Sequence, residues 1–120
     1  MVVDDKQTNN EELLQLAIRA AKGGNRDGAR VMLRQVYGRD RHNETAMLWL
    51  AKLANNDPER QQWLNRVLDV NPDNKTAKTG LEKIEYKQQA SDNRTIAMYG
   101  IIAVIMLVIV IFIVGLVLVI

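Results

Sequence analysis

Residues 96–120 read IAMYGIIAVIMLVIVIFIVGLVLVI, and no side chain in the stretch carries a charge. As a helix it would be roughly 37 Å long at 1.5 Å per residue, against about 30 Å of bilayer hydrocarbon, so it can span with some tilt. The competing readings are a buried helix of a soluble core and a pair of strands rich in Val and Ile. A run apolar on every face exceeds what the rest of so short a chain could wrap, and no turn signal divides it into strands. The stretch reads as a single transmembrane helix, and its place at the end of the sequence gives the expectation of a tail anchor.

Working outward, all 16 Lys and Arg and all 14 Asp and Glu precede Ile96. The expected organisation is therefore one soluble domain and one anchor. The chain has no Cys, which excludes disulfides, thiolate catalysis and Cys-based metal sites. Its start, MVVDDKQTNN, is polar and acidic and lacks the basic region and apolar core of a signal peptide. Lys83, Lys87 and Arg94 lie just before the span and no positive charge follows it. By the positive-inside rule the N-terminal domain is expected in the cytoplasm, with Ile120 on the far face.

Five helices are expected. After a disordered start over residues 1–9, Asn10 and Glu11 open the first, with Leu13, Leu14, Leu16, Ala17, Ile18 and Ala20 on its apolar face and Gly23-Gly24 at its end. The second, about Arg26 to Gly38, carries Ala29, Val31, Met32, Leu33, Val36 and Tyr37. The third, Glu44 to Asn55, carries Ala46, Met47, Leu48, Trp49, Leu50, Ala51, Leu53 and Ala54. Asp57 is expected to cap a fourth from Pro58 to Val70, with Pro pre-shaped for its first turn. A fifth, about Asn74 to Gln89, has Ala77, Leu81 and Ile84 as a narrow apolar stripe. Ser91, Asp92 and Asn93 can each end or cap a helix, so residues 91–95 read as a short joint before the span.

Two polar turns expose a repeat. A shift of 31 residues superposes Leu33, Val36, Asp40 and Asn43 on Leu64, Val67, Asn71 and Asn74, and a shift of 34 superposes Leu16, Ala17 and Ala20 on Leu50, Ala51 and Ala54. Asn71-Pro72-Asp73-Asn74, Gly24-Asn25 and the small Ala29 resemble the markers of the tetratricopeptide repeat, a helical hairpin of about 34 residues. Arg41 stands where that family usually has Pro, Arg60 stands where a small residue is usual, and the second unit is about three residues shorter between its helices. The resemblance covers roughly residues 10–90. It implies an all-α fold of two tetratricopeptide-like hairpins and a capping helix, followed by the single transmembrane helix.

The resemblance also implies a concave partner groove lined by the first helix of each hairpin: Leu14, Gln15, Ile18 and Lys22 beside Leu48, Trp49, Lys52 and Asn55. Trp49 reads either as a binding anchor or as a packed core residue. Leu14 and Ile18 occupy positions where a carboxylate clamp would need polar groups, which argues against a receptor for chaperone tails.

Little in the sequence suggests chemistry. His42 is the lone histidine and lies in a polar turn; Asp4-Asp5, Glu11-Glu12, Asp57 and Glu59 sit at chain or helix starts, where they complement the helix dipole. The expectation is no enzyme, no cofactor and no metal. Arg26, Arg30 and Arg34 recur every four residues as a basic stripe, which reads either as a solvated helix face or as a dock for anionic lipid or an acidic protein. Nucleic acid is not expected, because no stacking aromatics are interleaved with the charges. Within the span, Ala97, Gly100 and Ala103 form a small-residue edge where another helix could pack.

The function expected is a non-enzymatic, single-pass membrane protein whose cytoplasmic domain binds protein, as an accessory subunit of a larger membrane complex of respiratory or photosynthetic type. The alternative is a stand-alone adaptor similar to the mitochondrial fission adaptor. No basic tail follows the span, so a bacterial inner membrane is favoured over an organelle outer membrane.

Overall fold

The computed structural model describes the backbone of residues 5–120 and the side chains of residues 9–120. It contains α1 (Asp5–Lys22), α2 (Arg26–Arg39), α3 (Glu44–Lys52), α4 (Asp57–Val70) and α5 (Lys75–Val119), with no strand among the described residues. The chain divides into two units, Met1–Ile84 and Glu85–Ile120.

In the first unit α1 packs on α2, α3 packs on α4, and α2 joins the two hairpins by packing on α3. Small residues allow the close approach: Ala17, Ala29, Ala46 and Ala77 are fully buried. Leu33, Val36, Met47, Leu50 and Val67 fill the space between them. Burying each of these larger side chains contributes about 1.5–3 kcal/mol.

The 31-residue repeat is visible atom by atom in the two turns. Asp40 and Asn71 both end their helices in extended conformation, with φ/ψ of −138°/98° and −139°/93°. Their N–H groups donate to the carbonyls of Val36 and Val67 at 2.9 and 2.8 Å. Their side-chain oxygens accept from the N–H two residues on, His42 at 3.0 Å and Asp73 at 3.1 Å. Asn43 and Asn74 then cap the following helices by accepting from the N–H groups of Ala46 and Ala77 at 3.0 and 2.9 Å. The bonds of Asn43 and Asn74 satisfy helix-end N–H groups that would otherwise have no partner within the helix.

Several boundaries differ from the sequence reading. Helix α1 starts at Asp5, so residues 5–9 of the stretch expected to be disordered are helical, and residues 1–4 lie outside the described residues. No Gly or Pro interrupts residues 5–9. Asn56, rather than Asp57, caps α4: it is extended (φ −147°, ψ 165°) and its Oδ1 accepts from the Glu59 N–H at 2.9 Å. Asp57 is already inside the helix. Helix α3 stops at Lys52, not Asn55.

The expected joint at 91–95 is continuous helix. Ser, Asp and Asn are weaker helix formers than Ala by only a few tenths of a kcal/mol each, so they do not end a helix by themselves; α3 ends at Lys52 without Gly or Pro, where the chain turns back to pack α4 on it. Residues 81–99 contain neither. The Thr95 hydroxyl donates to the Ser91 carbonyl at 3.0 Å, so its side chain bonds back along the helix instead of capping a new one.

Two apolar residues assigned to inner faces are outside. Leu16 is 53% exposed although its repeat partner Leu50 is 1% exposed, and Val31 is 61% exposed. Helix α3 packs against both α2 and α4, whereas the main packing partner of α1 is α2. Leu16 lies on the exposed face of α1.

The second unit is helix alone. All its residues are exposed, including every aliphatic side chain from Ile96 to Ile120. This part of α5 is long and apolar enough to cross a membrane.

Candidate ligand groove

An open groove of about 570 Å³ lies within the first unit, between α3, α4 and residues 75–83 of α5. Its volume is in the range of ligand sites, about 300–1,000 Å³. Helix α3 contributes Leu48, Trp49 and Lys52, which the 3.6-residue period brings to one side. Helix α4 contributes Arg60 and Leu64. Helix α5 contributes Lys75, Thr79 and Lys83 at intervals of four, with Thr76 and Gly80 beside them.

Gly80 of α5 lies against Leu64 of α4. A Cβ at this position would lie 2.8 Å from Leu64 Cδ1, so the absence of a side chain leaves room for the Leu64 side chain against α5.

The two tryptophans have different places. Trp63 is buried in the core, edge-on to Tyr37 at a centroid distance of 5.1 Å, with the Arg66 guanidinium 4.5 Å from its centroid. Trp49 is half-buried on the groove wall, and Lys52 Nζ lies 4.7 Å from its ring centroid. The ammonium is attracted to the face of the indole, which holds Lys52 over the groove.

The lining has four cationic residues and no acidic one. Arg60 is occupied: Nη1 donates to Asp57 Oδ1 at 2.7 Å, Nε to the Ala51 carbonyl at 3.2 Å and Nη2 to the Ala54 carbonyl at 3.5 Å. Lys52, Lys75 and Lys83 are exposed and form no ion pair among the described residues.

The groove therefore combines three of the expected partner residues, Leu48, Trp49 and Lys52, with residues of α4 and α5. Leu14 is in the core, Ile18 is half-buried, and Gln15 and Lys22 are exposed; none of the four lines the groove. Asn55 lies outside it as well, its N–H donating to Glu59 Oε2 at 3.3 Å. The contribution of α5 was legible only as a spacing. Lys75, Thr79 and Lys83 share a face, but nothing in the sequence says that this face turns toward α3.

The basic stripe has partners inside the fold. Arg30 Nη2 lies 2.9 Å from Glu59 Oε1 and Arg34 Nη2 lies 3.6 Å from the same oxygen. Arg26 Nη2 donates to the Leu53 carbonyl at 3.4 Å. The stripe thus clasps the α3–α4 connection. The Asn55 N–H is the largest influence holding the Glu59 carboxyl below the usual glutamate range; partial burial opposes it, and the charges of Arg30 and Arg34 add to it. Glu44 is also held below that range, by the side chains of Asn74 and Asn71, each donating to Oε1 at 2.9 Å.

Ala97, Gly100 and Ala103 lie on the apolar part of α5, and a Cβ at Gly100 would meet nothing within 4 Å. His42 is exposed, and the described residues contain no group of three or more His, Asp or Glu that could hold a metal ion. Comparison with known proteins finds no matching family model, no matching curated protein and no matching solved structure.

Proposed function

We propose that the chain is a non-enzymatic, single-pass membrane protein whose helical domain binds protein in the groove between α3, α4 and α5, as an accessory subunit of a larger membrane complex. The observation that carries this reading is the pairing, in one chain, of a cation-rimmed groove containing a half-buried Trp with a helix whose apolar surface is fully exposed. Aromatic side chains dominate binding energy at interfaces, and exposed aliphatic surface on this scale calls for lipid or another apolar helix.

The atom-by-atom equivalence of the turns at 40–43 and 71–74 supports kinship with tetratricopeptide-type hairpins, which commonly present grooves to peptides. Lys83, Lys87 and Arg94 on one side of the apolar stretch support a cytoplasmic helical domain. In a bacterial inner membrane the partner would be a neighbouring subunit. As a stand-alone adaptor, the same groove would recruit a soluble protein.

The test is extraction followed by native mass measurement in mild detergent. The reading expects the chain to resist alkaline extraction and to leave the membrane with a stoichiometric membrane partner. A soluble partner would favour the adaptor form. A chain washed off by alkali, or one that is always alone, contradicts both.

A further inference from the structure

We infer that the occupant of the groove is an acidic amphipathic protein segment, with carboxylates spaced to meet Lys75 and Lys83 and apolar side chains against Leu48, Trp49 and Leu64. This rests on the groove being the partner surface proposed above. The charge argument is local. Arg60 is neutralised by Asp57 at 2.7 Å, which leaves Lys52, Lys75 and Lys83 as cations without a counter-charge on the lining. Three like charges around one cavity repel one another, and a ligand carrying carboxylates relieves that repulsion.

The spacing favours an extended segment over a compact anion. Lys75 and Lys83 are eight residues apart on one helix, about 12 Å along its axis. Carboxylates four residues apart on an extended chain are about 13 Å apart and lie on the same side. A single phosphate would need donors converging on one point, and here the ammonium groups are distributed along the groove. Between them lie the exposed hydroxyls of Thr76 and Thr79, which can pair with the backbone of an extended chain. Leu48, Trp49 and Leu64 supply the apolar wall, so a purely acidic ligand would leave it uncovered.

The experiment uses the full chain in phosphatidylcholine nanodiscs and two fluorescein-labelled dodecapeptides. One repeats Glu-Val-Thr-Val three times, β-branched residues that favour the extended form, and the other has Lys in place of each Glu. Fluorescence anisotropy is expected to show binding of the acidic peptide alone, weakening as salt is raised. The double variant K75E/K83E is expected to bind it at least about tenfold more weakly, since both rim charges are reversed. Lys78 is exposed on the same helix but off the groove, and K78E is expected to change binding by less than about threefold. Equal binding of the two peptides, no binding of either, or an equal loss in K78E and K75E/K83E would overturn the inference. A protein partner lost from the purified complex on Trp49→Ala but retained with K75E/K83E would also overturn it, while leaving the groove as the interaction surface.

Discussion

The guanidinium of Arg60 bonds the end of α3, donating through Nε to the Ala51 carbonyl at 3.2 Å. Two irregularities of the repeat explain each other here. Measured from Ala17 to Leu33 and from Ala51 to Leu64, the second hairpin is three residues shorter, and the loss falls at the end of α3, which stops at Lys52. Arg60 occupies the position that Ala29 holds in the first hairpin. Its side chain reaches the end of α3, where it adds a side-chain donor to the Ala51 carbonyl, already bonded by the Ala54 N–H at 3.3 Å, and donates to the Ala54 carbonyl at 3.5 Å, while Arg26 donates to the Leu53 carbonyl at 3.4 Å.

Arg60→Ala is therefore expected to destabilise the protein by about 1–3 kcal/mol, because the Ala54 carbonyl loses its side-chain donor, the Ala51 carbonyl loses one of its donors and the ion pair with Asp57 is removed. Arg60→Lys should recover less than half of that, since an ammonium cannot reproduce the fork geometry. Urea unfolding followed by circular dichroism in detergent measures both. An Arg60→Ala variant as stable as the parent would refute the compensation.

Leu33 and Leu64 are equivalent under the 31-residue shift and both are buried. Truncation of Leu33 to Ala is expected to cost about 2–5 kcal/mol through lost burial and the cavity left behind. Leu64→Ala should cost a similar amount and also widen the groove at Gly80. Thermal melts of the two variants check the equivalence, which would fail if either substitution were neutral.

Acid should loosen the two inter-helix clasps. Glu44 and Glu59 both ionise more readily in the folded protein than in the unfolded chain. Their stabilisation is therefore fully present above the ordinary glutamate value and is lost as the pH falls through their lowered folded values. Melting temperature is expected to decline over that acidic window, and the E44Q/E59Q variant should show a flatter decline. Identical pH profiles would remove these carboxylates from the account.

The two tryptophans offer a spectroscopic check of the groove. With Trp63→Phe only Trp49 remains, half-buried on the groove wall; with Trp49→Phe only the core Trp63 remains. Acrylamide should quench the first variant more strongly than the second. The reverse order would mean that Trp49 is packed away and Trp63 accessible.

Much of the helical architecture was readable from local chemistry. The turn at Asn71-Pro72-Asp73-Asn74 and the apolar period of the helices act within a few residues, so they speak directly from the sequence, whereas Asn56 is not singled out as the cap of α4 because Asp57 beside it is equally competent. The misreadings came where local competence and actual use diverge. Ser91, Asp92 and Asn93 can cap a helix, yet that competence does not oblige them to end one, and α5 runs through them. Likewise the arginine stripe looks solvated until the α3–α4 connection is folded against it, since Arg30 and Glu59 are 29 residues apart. The groove was half legible for the same reason. Leu48, Trp49 and Lys52 follow from the period of α3, but Lys75 and Lys83 join them only through packing of α5 that no local rule specifies.

The most direct measurement of the central claim is photocrosslinking in the native membrane, with a photoreactive amino acid placed at position 49, 79 or 31 in turn. Positions 49 and 79 line the groove, while Val31 is exposed on α2 away from it. The account predicts that 49 and 79 form an adduct with the same protein and that 31 does not. No adduct from either groove position, or the same adduct from all three, would contradict it.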